Sequence, residues 1–323
     1  MRAIVVNEQG GPEVLELVER ETPEPGEGQL RVDVRPAGVN FIDIYQRSGL
    51  YAMQTPFVMG MEGAGTVGAV GTGVEDIAVG DAVAWAMTPG TGYAEQVLLP
   101  AARVVPVPAG LDAEVAAAVM LQGMTAHFLT ESTFPAREGQ TALVHAAAGG
   151  VGLLLCQMLA AKGVRVIGTT STPEKAELAR GAGAAEIIFY REQDLVTEVR
   201  RLTGGDGVHV VYDGVGASTF DAGLQVLRPR GMMVLFGASS GPVPPIDPQV
   251  LNQRGSLFLT RPSLLHHLAD REELLARAGD VLGAVAEGRL DVRIGGRYPL
   301  ADAAQAHRDL ASGTTTGKLL LVP

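Results

Sequence analysis

The stretch from Thr141 to Ala160 constrains this chain more than any other. An apolar run, Thr141 to Val144, leads into His145-Ala146-Ala147-Ala148-Gly149-Gly150-Val151-Gly152. That turn leads into Leu153-Leu154-Leu155-Cys156-Gln157-Met158-Leu159-Ala160. Strand, glycine turn and helix in this order open a dinucleotide-binding unit. Gly149 lets the backbone approach a pyrophosphate, and Gly152 lets the helix pack closely on the strand. Free N–H groups at the helix start, with the positive end of its dipole, face the phosphates. Ala147 stands where the usual G-x-G-x-x-G has its first glycine, so the motif reads A-x-G-x-x-G. A tight turn in an ordinary βαβ unit has the same look, and the rest of the chain must decide between them.

Around this turn the pattern alternates. Strands are predicted at 141–146, 164–169, 185–188, 208–212 and 232–236, and helices at 151–162, 173–180, 192–202, 217–227 and 248–253. Gly163, Gly181 and Gly204 stand where helices should end. Strands bracketed by helices imply an α/β, doubly wound parallel sheet, with 256–260 as its last strand. Residues 1 to about 100 read differently, as short strands separated by Gly10-Gly11-Pro12, Pro23-Glu24-Pro25-Gly26 and Gly71-Thr72-Gly73. The clearest strands are 3–6, 15–18, 30–34 and 63–70, and a helical piece, 41–47, closes at Gly49. Together they suggest a small β-barrel. Two helices, 111–118 and 123–129, lead into the alternating region. The tail has a helical stretch at 265–288, a strand at 291–298, a helix at 301–311 and a last strand at 318–322. The expected organisation is a catalytic domain in two parts, 1–122 and 263–323, around a dinucleotide-binding domain, 123–262, with the active cleft between them.

Charge and cysteine content narrow the function. Acidic residues outnumber basic ones 36 to 25, a net charge of −11, which argues against a nucleic-acid footprint. One cysteine, Cys156, excludes a disulfide framework or a cysteine zinc site within the chain. The chain opens directly on a strand pattern without the apolar core of a signal peptide, and no apolar run is long enough to span a membrane. The expected location is the cytoplasm.

The second strand of the alternating region ends near Thr169, followed by Thr170-Ser171-Thr172-Pro173-Glu174-Lys175. A site for NAD would place an acidic residue there, on the ribose 2′-hydroxyl. This chain has Ser171, with Lys175 one helical turn beyond, a pair that suits the 2′-phosphate of NADP. Ser171 or Thr172 can also simply cap the helix, with Pro173 in its first turn. The two roles are compatible.

Segments along nearly the whole chain resemble the zinc-free quinone oxidoreductase group of the medium-chain dehydrogenase/reductase superfamily, which includes zeta-crystallin. They are residues 38–51, from Gly38-Val39-Asn40 to Gly49-Leu50-Tyr51, then Gly80-Asp81-Ala82-Val83 and the 145–152 turn. Val211-Tyr212-Asp213-Gly214-Val215-Gly216, Phe236-Gly237-Ala238-Ser239-Ser240-Gly241, Leu259-Thr260-Arg261-Pro262-Ser263 and Thr315-Thr316-Gly317-Lys318 continue the likeness. The resemblance implies a GroES-like β-barrel catalytic domain beside a Rossmann domain, with bound NADPH. Gly149, Gly150 and Val151 would meet the pyrophosphate, and Ser171, Lys175 and Tyr190 the 2′-phosphate. Phe236, Gly237, Ser239, Ser240 and the Phe258-Leu259-Thr260-Arg261 segment would line the nicotinamide side, supported by Asn40 and Thr125. It also implies a homodimer paired through the last strand of the Rossmann sheet.

Zinc-dependent relatives carry a cysteine near position 40 and a His-Glu pair near 61–62; here the residues are Asn40, Met61 and Glu62. No catalytic zinc is expected. The six histidines show no ligand spacing and read as packed or solvated. Without a Lewis acid, the suited acceptor is a quinone or an α,β-enone, which spreads the incoming charge onto a conjugated oxygen. Asn40, Tyr45 and Tyr51 are the candidates for holding that oxygen, with the tyrosines alternatively forming an apolar wall and Asp43 a helix-turn hydrogen bond. Bulk water can protonate the product. The rival acceptors are enones, alkenals and enoyl thioesters; a non-enzymatic structural or RNA-binding role is disfavoured by the intact turn and the acidic balance.

Overall fold

Short apolar strands with glycine between them build the first part of the chain. β1 (Arg2–Val6) is buried from Ala3 onward and pairs antiparallel with β2 (Leu15–Glu19). β3 (Gln29–Val39) is the longest strand and continues through Pro36, where its register with a neighbour shifts between Val34 and Ala37. A proline is tolerated at such a bulge because the ladder is already interrupted there. α1 (Phe41–Ser48) ends at Gly49, whose φ of 85° supplies the left-handed stop. β4 (Phe57–Val58), β5 (Glu62–Val70), β6 (Ala82–Ala86), β7 (Gln96–Pro100) and β8 (Val105–Pro106) follow. α2 (Ala113–Phe128) is one continuous helix where two were expected. It runs on into a single π-helical turn, Leu129–Thr133.

Strands and helices then alternate as β9 (Thr141–Val144), α3 (Gly150–Ala161), β10 (Arg165–Thr170), α4 (Pro173–Gly181), β11 (Glu186–Phe189) and α5 (Leu195–Leu202). They continue as β12 (Val208–Asp213), α6 (Phe220–Val226), β13 (Leu227–Leu235), α7 (Gln249–Gln253) and β14 (Phe258–Thr260). The tail comprises α8 (Arg271–Ala286), β15 (Ile294–Pro299), α9 (Ala303–Ala311) and β16 (Lys318–Val322).

The computed structural model describes residues 1–323 and divides into two compact units, 1–124 with 267–323, and 125–266. In the first unit, a seven-stranded sheet runs β15-β16-β3-β5-β6-β8, with β7 also on β3, beside a three-stranded sheet β2-β1-β4. β16 pairs with β3 through Leu319 and Val39, so the tail completes the sheet begun by the first residues. Val32, Val67, Trp85, Tyr93, Leu99 and Leu321 lie within its core. This is the GroES-like domain.

The second unit is a six-stranded parallel sheet ordered β11-β10-β9-β12-β13-β14. The chain starts in the middle, builds outward to β11, then returns to build outward on the other side. That is the doubly wound Rossmann order, and it places a crevice at the carboxyl ends of β9 and β12. No helix of the chain is long and apolar enough to cross a membrane.

Candidate active site

The turn after β9 is shaped by crowding. Ala146 adopts a left-handed φ of 51°. Ala147 N–H donates to the Thr169 carbonyl at 3.0 Å, and Gly149 N–H to the Ala146 carbonyl at 2.8 Å. A Cβ on Gly152 would drive into the Ala146 carbonyl oxygen and lie 2.8 Å from the Ala147 Cα, so only glycine brings α3 this close. The alanine at the motif's first position is accommodated across the sheet. Its fully buried methyl fills the space that a side chain on Gly168 would need. Gly149 is the N-cap of α3 and has no side chain to cap with. The N–H groups of Gly150, Val151 and Gly152 therefore have no acceptor within the helix, and they make a cradle for an anion.

At the next strand end, Thr172 caps α4 by accepting the Lys175 N–H at 3.3 Å, with Pro173 in the first turn. Ser171 is half-buried at the end of β10. Burial, and then the neighbouring Arg191, push the Lys175 ammonium below its usual range. Two cations thus share this corner with Tyr190, which is 52% exposed. Thr170 on β10 and Phe189 on β11 are paired, which brings the 171–175 and 190–191 segments together. Arg191 was not singled out from the sequence; its signal was its place directly after a tyrosine at a strand end.

Asp213 organises the loops at the ends of β12 and β13. Its carboxylate accepts the N–H groups of Val215 (2.7 Å) and Gly216 (3.0 Å) and the Thr219 hydroxyl. Phe236 N–H donates to the Asp213 carbonyl at 2.8 Å, and a Cβ on Gly237 would collide with Gly214. Ser239 and Ser240 are exposed, but the Ser240 hydroxyl braces the loop by donating to the Val215 carbonyl at 2.8 Å. Phe258 on β14 is 56% exposed, Leu259 and Thr260 are half-buried, and Thr125 on α2 is buried.

In the first unit, Asn40 is buried and its amide is spent. The side-chain oxygen accepts the Lys318 ammonium at 2.7 Å, and its N–H donates to Glu62 at 2.8 Å. Lys318 is also ion-paired with Glu62, both fully buried. Sequence reasoning placed Asn40 at a ligand's oxygen; the structure turns its amide into this buried cluster. Tyr45 is buried and packs edge-on against Tyr51, ring centroids 5.2 Å apart, while Tyr51 is 39% exposed. Of the three, Tyr51 is the residue that faces outward.

The same residues do not suit a zinc ion. An ammonium already occupies the Glu62 carboxylate, and the Met61 sulfur accepts a hydrogen bond from Gln46. No group of three or more His, Cys, Asp or Glu is arranged to hold a metal. A thioether, an amide and a paired carboxylate lack the thiolate and imidazole donors that hold zinc.

Two family profiles match: "Alcohol dehydrogenase GroES-like domain" over residues 26–109 and "Zinc-binding dehydrogenase" over residues 150–273. A quinone oxidoreductase of Pseudomonas aeruginosa is 47% identical, with 97% of each chain covered. A 2-haloacrylate reductase of a Burkholderia species is 40% identical, covering 99% of this chain and 98% of its own. A mycobacterial protein solved in complex with NADPH superposes with a TM-score of 0.97 at 51% identity, over 100% of both chains. Full-length likeness at these identities leaves one assignment: the chain is an oxidoreductase belonging to the quinone oxidoreductase group of the medium-chain dehydrogenase/reductase superfamily.

Proposed function

We propose that this chain is a zinc-independent, NADPH-dependent quinone reductase. The observation that carries the cofactor is one corner of the second unit, where Ser171, Lys175 and Arg191 gather beside the uncapped start of α3. Their chemistry matches a dinucleotide with an extra phosphate: backbone N–H groups at Gly150 and Val151 for the pyrophosphate, cations for the 2′-phosphate. Gly149 keeps that approach clear of side chain.

Bound NADPH supplies a hydride, and one proton from solvent completes the two-electron reduction of a quinone to its hydroquinone. The protein contributes position. The loops tied by Asp213, with Phe236, Gly237 and Ser239, line the nicotinamide end, and Phe258, Leu259 and Thr260 continue that wall. Tyr51 offers its hydroxyl to the acceptor's oxygen, Tyr45 packs behind it, and Asn40 acts through the backbone it anchors. Charge that spreads over a conjugated acceptor needs no metal to receive it.

Lys175→Ala tests the cofactor assignment: the NADPH KM should rise by about 10- to 100-fold, the range of one charge-assisted hydrogen bond, while NADH use is spared. Equal loss with both cofactors overturns it. The likeness to a 2-haloacrylate reductase favours a second reading, reduction of a polarised alkene. A panel of ortho- and para-quinones, 2-alkenals, a 2-haloacrylate and an enoyl-CoA, each with NADPH, separates the two. Cytoplasmic operation and a homodimer belong to the same proposal. The only cysteine is a buried free thiol, so the fold uses no disulfide, and β14 presents a sheet edge.

A further inference from the structure

We propose that Asp43 is a positioning residue for the reductase reaction, fixing through Asn40 the start of α1 and thereby the segment that carries Tyr45 and Tyr51; this rests on the functional reading above. Asp43 lies in the first turn of α1 and is fully buried. One of its oxygens, Oδ2, accepts the backbone N–H of Asn40 at 2.8 Å and the Tyr93 hydroxyl at 3.0 Å.

Behind Tyr93 stands a chain of donors with a single direction. Arg47 has only donors, so its Nη1 donates to His307 Nδ1, 3.2 Å away. His307 must then carry its proton on Nε2, and that N–H donates to the Tyr93 oxygen at 2.9 Å. Tyr93 is left with its own hydroxyl hydrogen, which goes to Asp43. Burial, and then Arg47, lower the His307 pKa to about 3, so the neutral ring this arrangement requires is the form present. Arg47, Tyr93 and His307 are all buried, and every donor along the line points toward Asp43.

The other end of the line is Asn40. Its backbone N–H is held by Asp43, and its amide is held by Lys318 and Glu62. The residue is clamped from both sides, and α1 begins immediately after it. Tyr45 lies one turn into that helix, and Tyr51 N–H donates back to the Tyr45 carbonyl at 3.0 Å. A change in the grip of Asp43 therefore moves the aromatic pair, and only the ionised carboxylate grips both donors strongly.

The groups facing Asp43 come from several elements: Tyr93 from the segment before β7, Glu62 from β5, and Lys318 from β16. His307 on α9 and Arg47 on α1 act one step further out, and Arg47 itself faces Glu13 and Arg308. Burial raises the Asp43 pKa to about 7 against the lowering contributions of Asn40, Lys318 and Tyr93. The second oxygen, Oδ1, is buried without a partner and is the place for the proton. Protonation there weakens both bonds at Oδ2.

The experiment is kcat/KM for a quinone against pH, in the wild type, Asp43→Asn and Tyr93→Phe, with NADPH binding measured separately by fluorescence. In the wild type, kcat/KM should fall as pH drops through an inflection near 7. Asp43→Asn should abolish that inflection and lower kcat/KM about tenfold on its alkaline side, the size of one lost charge-assisted hydrogen bond, with NADPH binding unchanged. Tyr93→Phe removes a donor that favours the ionised form, so it should move the inflection upward. An inflection that persists in Asp43→Asn, or that stays in place in Tyr93→Phe, overturns the proposal; the second variant decides alone if the first does not fold. A wild type inactive on every acceptor instead overturns the functional reading, and the positioning role with it.

Discussion

Asp43 and His307 flank Tyr93 and answer to pH in opposite senses. Burial raises Asp43 from its ordinary 3.8 to about 7, so the folded chain keeps a proton that the unfolded chain has released. The stability this contributes is complete below pH 3.8 and is lost as pH rises through about 7. His307 falls from 6.5 to about 3, so the folded chain refuses a proton that the unfolded chain takes up. Its contribution is complete above pH 6.5 and is lost as pH falls toward 3. Between 3.8 and 6.5 the two slopes oppose each other, and the wild type should show little net dependence from this pair. Single substitutions should uncover them. Relative to the wild type, Asp43→Asn should gain stability with rising pH across that window by up to about 1.4 kcal/mol per unit, and His307→Gln should lose it at the same rate. Urea midpoints measured across the window check this; two variants that both run parallel to the wild type contradict it.

At the scale of elements, what was legible followed the pattern of the backbone, and what was not followed packing. The alternation that predicted the parallel sheet rests on apolar strand runs and on glycines where the helices between them end, and those are local properties. The sequence pattern starts a second helix at Gly123, yet α2 passes through it unbroken. A side chain there would sit 2.6 Å from Val281 on α8 and 2.7 Å from Val119 one turn back on α2, so the glycine answers side-chain packing, in part from a neighbour 158 positions away in the chain, and not a turn of the backbone. The strand expected over 30–34 runs on through Pro36 to Val39 for a similar reason, since the bulge that tolerates the proline lies in its pairing with β5. In the candidate site, the glycine turn between β9 and α3 was readable because motif spacing encodes it, and the proposed Ser171–Lys175 pair rests on the same kind of spacing. The commitment of the Asn40 amide to Lys318 was not readable, because 278 positions separate them. Two glycines in neighbouring βα units make the distinction testable. Gly152→Ala forces a methyl into the turn and should cost about 2 kcal/mol while abolishing NADPH binding. Gly181, the last residue of α4, has open space around its Cβ position, and Gly181→Ala should be neutral or stabilising by up to about 1 kcal/mol. Urea unfolding and NADPH titration of both variants provide the comparison. Similar losses at the two sites would show that the turn is not the constraint.

For the whole molecule, the sheet of the second unit raises the question of what lies beside its last strand. β14 is three residues long and pairs with β13 on one side only. An unpaired strand edge presents its N–H and C=O groups as a template for another chain. Phe258, 56% exposed, puts an aromatic ring on this edge, and Leu257 just before it is buried. A lone exposed aromatic is ordinary on a protein surface; one set on an open backbone edge supports a self-complementary contact. In the proposed homodimer a two-fold axis beside β14 would satisfy both groups at once, because antiparallel pairing of the strand with its own copy would extend the sheet and cover both rings. Phe258→Lys should then shift the protein from dimer to monomer in sedimentation velocity. Because the proposed nicotinamide wall includes Leu259 and Thr260 of the same strand, the monomer should also lose affinity for NADPH. Pro substitution at an exposed loop position such as Val79, itself 65% exposed, serves as the control that should leave the mass unchanged. A wild type that sediments as a monomer removes the pairing outright, and a Phe258→Lys dimer places the contact on some other face.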